Sequence, residues 1–263
     1  MWNLRPAFAS GPPRRYARAA LTTAAGLLLS TEITDALALA WRLVAGLDPA
    51  LTDIVLLSLR VSLTATVTAT VIGLPLGAVL AVSRFVGRGA LVVIFNALMG
   101  LPPVVAGLAV YLLLSRSGAL GGLGLLFTPA GMVVAQTVLI APIVAALARQ
   151  VIEDLWAQHR DLFLSDGVGI IRRSGMLLSL GRYSLVTAIL AGLGRALAEV
   201  GAILIVGGNI AGFTRTMTTA ISLETSRGDL PLALGLGAIL FVLTLSINGA
   251  AYLIAQTARR AAL

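Results

Sequence analysis

Two opposite charges, Arg195 and Glu199, stand inside the apolar run Tyr183–Val206. Their spacing of four puts them on one helix face, one turn apart. At about 1.5 Å of rise per residue, Arg195 falls roughly 18 Å into the run, near the middle of a helix long enough to cross a bilayer. Each such charge costs about 2.5–3.5 kcal/mol at a helix centre, so the pair is expected to face protein or a water-filled path rather than lipid. Two readings of it stand: a structural ion pair, or part of a gate. The run then gives way to Gly207-Gly208-Asn209 and to a segment crowded with small and hydroxyl residues, Gly212, Thr214, Arg215, Thr216, Thr218 and Thr219. Irregular backbone at membrane depth is tolerated only where it is buried in protein or lines a cavity. The combination points to an anion pathway.

The elements that would hold these groups are membrane spans. The 263 residues are 58% hydrophobic and 11% charged, far too apolar for a soluble domain. All 19 basic residues are Arg. Without a Lys there is no Walker A phosphate loop, so the chain does not itself hydrolyse ATP by that route. Zero Cys and a single histidine, His159, leave no disulfide framework and no Cys- or His-built metal site. The net charge of +8 could suggest nucleic acid. Because the Arg residues cluster at span ends, the positive-inside rule accounts for them better, and nucleic acid is not expected as a partner.

In chain order, residues 1–47 read as a basic arm (Arg5, Arg14, Arg15, Arg18), a dozen apolar residues at 19–30 that form either an extra span or a signal-anchor, and a short interfacial helix around Trp41. A permease-sized transmembrane region, 48–257, follows, with a cytoplasmic tail at 258–263. Its first span runs inward from Ile54 to about Val82 and is expected to kink at Pro75, Gly73 and Gly77. Arg84 and Arg88 mark its cytoplasmic end. Arg60, two turns in from Asp53, either snorkels outward or faces the pathway. Residues 90–114 return outward through Leu101-Pro102-Pro103, and 115–128 form an outer loop. Pro129–Ala148 goes inward, and 149–182, with Arg149, Arg160, Arg172, Arg173 and Arg182, is a cytoplasmic interval. After the central run, Glu224, Arg227 and Asp229 make an outer turn and Leu230–Ala255 is the last inward span. The fold class is therefore all-α, a polytopic bundle of five or six spans.

The stretch GRALAEVGAILIVGGNIAGFTRTMTTAI resembles the permeases of tungstate ABC importers, close kin of the molybdate permeases; GLPPVVAGLAVYLLLSRSG and LGLLFTPAGM are similar too, and the likeness covers roughly residues 48–250. It implies the type I ABC importer architecture in the plasma (inner) membrane. Carried over residue by residue, it assigns Arg195, Glu199, Gly201, Gly207, Gly208, Asn209, Gly212, Thr214, Arg215, Thr218 and Thr219 to the pathway or gate. For a tetrahedral dianion whose oxygens are all acceptors, Gly207-Gly208-Asn209 can expose amides, the threonines offer hydroxyls and Arg215 attracts charge. The family's coupling loop, which docks on the ATPase, maps to 149–182. Asp161-Leu162-Phe163 with Gly167 keeps the family's acid-to-Gly spacing, but its two alanines are lost and Leu178-Ser179-Leu180 lacks the expected Pro. A merely solvated basic connector is the plainer reading of that interval. Implied partners are a second copy of the chain, two cytoplasmic ATPases, an extracytoplasmic tungstate-binding protein and membrane lipids. No cofactor is implied for this chain, ATP being used by the partner. Alternatives are a molybdate or sulfate ABC permease, or an ion-coupled secondary anion transporter.

Overall fold

The computed structural model describes residues 49–165 and 167–260, together with Thr34, Ala38 and Trp41. The expectations for the basic arm and the apolar dozen at 19–30 lie outside these residues, as does Asp166. From Pro49 on, the described residues form nine α-helices: α1 Pro49–Val82, α2 Arg88–Met99, α3 Pro103–Leu114, α4 Pro129–Ser165, α5 Ile170–Leu180, α6 Arg182–Leu197, α7 Gly201–Gly207, α8 Met217–Arg227 and α9 Leu230–Arg260. Among the described residues there is no strand. Among the described residues three helices are long and apolar enough to cross a membrane, α1, α4 and α9, and bent pairs of shorter ones bring the number to as many as five. The chain is a multi-pass membrane protein.

Several spans differ from the sequence expectation, each for a physical reason. Residues 90–114 are not one straight span: α2 and α3 meet at 104°, because Pro102 and Pro103 supply no N–H and cannot continue the α2 ladder. The inward span from Pro129 does not stop at Ala148. It runs on to Ser165 as a 37-residue helix, about 55 Å by its rise, so its last part stands beyond a roughly 30 Å hydrocarbon core. Polar residues ended the hydropathy but gave no reason for the helix to end. The interval 149–182 is accordingly helical almost throughout, split between α4 and α5. Pro75 lies within α1 without ending it. Glu224 and Arg227 belong to the last turn of α8 and pair at 3.1 Å, leaving Gly228 and Asp229 as the turn.

Close helix approach sets the packing. The α1–α4 contact is the most extensive among the described residues. A Cβ on Gly73 or Gly77 would stand 2.9 Å from the Ala141 carbonyl or 2.3 Å from the Ala145 carbonyl, so this seam takes no larger side chain. Lipid tails are as apolar as leucine, so it is van der Waals contact at such small-residue seams that holds the bundle. Gly107 does the same between α3 and α7, where a Cβ would meet Ala202 Cα at 2.6 Å. One apolar cluster, with Ala78, Val82, Ala148, Ile152, Phe163, Leu177 and Leu185, joins α1, α4, α5 and α6 at the C-terminal end of α1. Another, with Ala106, Val110, Ala135, Leu139, Ala202 and Val206, ties α3, α4 and α7. Beside the first, Arg88 donates to Glu153, which also accepts from Arg149, pinning the start of α2 to α4.

Candidate functional site

The central run Tyr183–Val206 is two helices, not one. α6 ends at Leu197, and α7 begins at Gly201. Arg195 thus occupies the last turn of α6 and Glu199 the break itself. At the break the backbone loses its internal partners, and in a membrane each lost partner must be replaced by protein. The replacements come from three helices and from Glu199 itself. The Ala196 carbonyl accepts from Gln136 Nε2 of α4 at 2.9 Å and from the Ser62 hydroxyl of α1 at 3.4 Å. The Glu199 carbonyl accepts from the Thr218 hydroxyl of α8 at 2.8 Å. On the far side, the Ala202 N–H donates to Glu199 Oε1 at 3.2 Å, so the carboxylate satisfies an orphan donor and sits at the positive end of α7.

The other carboxylate oxygen of Glu199 lies 3.3 Å from Arg195 Nη2. The two partners differ sharply in exposure. Glu199 is 3% exposed, whereas the Arg195 side chain is 37% exposed on the single chain. Gly201, next to the break, faces Val104 and Pro103 of α3, close enough that a Cβ would touch them at 3.1 and 3.6 Å. The Pro102–Pro103 corner and the Glu199 break therefore lie side by side.

Beyond α7 the chain makes the irregular turn expected at Gly207-Gly208-Asn209. Gly208 and Asn209 both take left-handed backbone, with φ of 72° and 52°, which Gly adopts freely and Asn tolerates among other residues. The Thr214 hydroxyl donates to the Gly207 carbonyl at 2.6 Å and accepts from the Ile210 N–H at 2.9 Å. Thr216 caps α8, its oxygen bonded to the Thr219 N–H while the Thr219 hydroxyl accepts from the Thr216 N–H. The Met217 N–H is taken by the Ser58 hydroxyl of α1 at 2.8 Å. Thr214, Thr218 and Thr219 are thus buried and spend their hydroxyls on backbone groups. Gly212 and Arg215 lie elsewhere, on the wall of a cavity of about 440 Å³ shared with Asp53 and Arg60 of α1.

At the far end of α4, Asp161 and Leu162 are exposed, whereas Phe163 is buried and stacks on Trp156, ring centroids 6.1 Å apart. Gly167 takes a left-handed φ of 62° in the turn to α5. Arg173 holds that turn, donating twice to the Val168 carbonyl at 2.6 and 3.1 Å, with its guanidinium 5.2 Å from the Trp156 ring centre. Ile170, Ile171 and Met176 of α5 are exposed, as are Leu162 and Leu164 of α4.

Sequence reasoning singled out Arg195, Glu199 and Thr218, which the fold brings to one break. It missed Gln136, Ser58 and Ser62. The only signal for them was their type: a Gln and two Ser inside apolar spans, where a polar side chain must find a partner.

No protein-family model matches the chain. It is 39% identical over 203 residues to a probable anion ABC transporter permease protein of Haloferax volcanii, covering 75% of this chain and 88% of the relative. It is 33% identical over 220 residues, 84% of this chain and 96% of the relative, to a tungstate uptake system permease protein of Peptoclostridium acidaminophilum. A tungstate uptake system permease protein of Campylobacter jejuni is 37% identical over 150 residues, 57% of this chain and 63% of the relative.

Proposed function

The chain belongs to the anion permeases of ABC transporters, and from that premise we propose that it is the membrane-spanning subunit of an importer carrying tungstate into the cytoplasm, driven by partner ATPases and fed by an extracytoplasmic binding protein. The substrate follows the two relatives described as tungstate uptake permeases, which are 33% and 37% identical. More distant similarity, at 29% and 28% identity, reaches a putative molybdenum and a sulfate transport permease, so the shared class is the tetrahedral oxyanion.

One observation carries the mechanism: a helix break at membrane depth that holds a buried carboxylate and a half-exposed arginine. Arg195 lies about 20 Å along α6 from Arg182, by helical rise. A charge at that depth has to be covered by protein or water, not lipid. A second copy of the chain, meeting the first across this face, supplies the cover and places two Arg195–Glu199 pairs on either side of a central path. The near-neutral pair repels an arriving dianion less than a lone Glu199 would and binds it less tightly than a lone Arg195 would, as passage requires. Alternation then moves α6 against α7 at the break, with the α2–α3 corner beside it. The exposed apolar surface of α4 and α5 around Leu162 and Ile171 is the face that meets the ATPase groove, in the manner of a helix docked by its apolar side.

Reconstitution tests the machinery. The chain is co-purified with its ATPase, placed in vesicles, and given tungstate-loaded binding protein outside and ATP inside. Tungsten uptake that stops when the Walker Lys of the ATPase is replaced supports the reading. Uptake that persists without ATP hydrolysis, driven by an ion gradient, would move the chain to the secondary transporters.

A further inference from the structure

We infer that the cavity between the first third of α1 and the loop joining α7 to α8 is an entry subsite for a tetrahedral oxyanion, in which Arg60 and Arg215 take the anion before it reaches the break. The inference rests on the importer reading and adds to it a place on the extracytoplasmic side.

The depth comes from α1. Counted back from Val82, whose end is marked as cytoplasmic by Arg84 and Arg88, Arg60 lies about 33 Å away by helical rise, at the outer edge of a roughly 30 Å core. The cavity, about 440 Å³, is lined by Asp53, Leu57 and Arg60 from α1 and by Gly212, Phe213 and Arg215 from the loop. That is ample for one hydrated oxyanion. Among the described residues neither arginine has an ion-pair partner. Arg215 is half-buried, and its Nε is shut off from solvent with no hydrogen-bond partner. That Nε is closed off by protein, so an anion in the open cavity would meet the rest of the Arg215 guanidinium.

Planar guanidinium groups offer paired N–H donors that match oxyanion edges. Asp53 shares the wall and leaves the cavity with a net charge of about one positive unit, so a dianion is attracted but not trapped. That balance suits a station on a pathway, where release matters as much as capture. Arg215 also joins the subsite to the break: the next residue, Thr216, caps α8, whose Thr218 holds the Glu199 carbonyl. Occupancy at the mouth is therefore one short loop from the element that opens.

The chain has no cysteine, so a single introduced thiol, read on the band of this chain, reports on the cavity. Ala211→Cys, with Leu56→Cys as a second wall position, is placed in the complete transporter in vesicles. Labelling by a membrane-impermeant sulfonate thiol reagent and by a neutral maleimide is timed with and without tungstate, molybdate or sulfate. Labelling from the extracytoplasmic side, slowed by the oxyanions, is the expected result. Arg60→Gln and Arg215→Gln should each raise the half-protecting anion concentration about tenfold, the loss of one charge-assisted contact, and Asp53→Asn should lower it. Absent protection, protection unchanged in both arginine variants, or labelling only from the cytoplasm overturns the subsite. Protection seen in micelles but not in phospholipid vesicles would mean that lipid phosphate fills the cavity, which overturns it too. Tungsten uptake measured in the same vesicles separates the two readings: uptake without protection removes the subsite alone, and protection without uptake removes the importer reading instead.

Discussion

Unequal exposure of the two partners at the helix break makes their single substitutions unequal. At 3.3 Å, and with an effective dielectric near 20, the Arg195–Glu199 attraction is about 5 kcal/mol before desolvation, an upper figure because Arg195 is more than a third exposed. Replacing Glu199 by Ala removes that attraction and the acceptor for the Ala202 N–H, but it frees a cation that can reach water; the expected cost is about 2–3 kcal/mol. Replacing Arg195 by Ala strands a carboxylate that is 3% exposed. Breaking a buried pair by removing one partner costs about 3–5 kcal/mol, so Arg195→Ala should be the more damaging change. Glu199→Gln keeps an acceptor for Ala202 and should fall below both. The assay is reversible unfolding of the purified chain in mixed micelles, run as a double-substitution cycle with Arg195→Ala/Glu199→Ala. The cycle should show at least about 1 kcal/mol of coupling, the double variant being more stable than Arg195→Ala alone. Equal costs for the two single variants, or strict additivity, would refute this account of the break.

Further outcomes follow from the same geometry. Gln136→Leu withdraws the 2.9 Å bond from the Ala196 carbonyl and should cost about 0.6–2 kcal/mol, the range for hydrogen bonds between membrane helices; a neutral result in the same unfolding assay would mean that Ser62 suffices. Gly77→Ala drives a Cβ to 2.3 Å from the Ala145 carbonyl and should destabilise by about 1–3 kcal/mol through overpacking, whereas Gly175→Ala, where nothing lies within 4 Å, should be neutral or stabilising. Leu162→Glu and Ile171→Glu should reduce co-purification of the ATPase while leaving the chain in the membrane; undiminished association would move the docking face elsewhere. Glu199→Ala and Arg195→Ala should both impair uptake, and normal uptake in both would remove the pair from the gate.

The spans centred on α1, α4 and α9 were legible from hydropathy alone, as was the proline corner before α3, because apolar length and a missing N–H are local properties. The irregular Gly207-Gly208-Asn209 turn was legible for the same reason. The break at Glu199 was not. Ala198-Glu199-Val200 contains no helix breaker, and what stabilises the interruption is a Gln on α4, a Ser on α1 and a Thr on α8, all remote in sequence. Likewise the threonines announced hydroxyls but not their use: Thr214 serves the Gly207 turn and Thr219 the start of α8, whereas Arg60 and Arg215 line one cavity. The overrun of α4 past Ala148 shows a related point, since leaving the hydrocarbon ends a span but does not end a helix.

The central claim meets its most direct test in cells, by measuring tungsten and molybdenum with elemental mass spectrometry at low supply of both anions. Cells lacking the chain are compared with rescued cells and with cells whose partner ATPase carries a replaced Walker Lys. The account predicts tungsten accumulation that requires both the chain and ATP hydrolysis, with molybdenum changing little. Tungsten levels that are the same with and without the chain would contradict it.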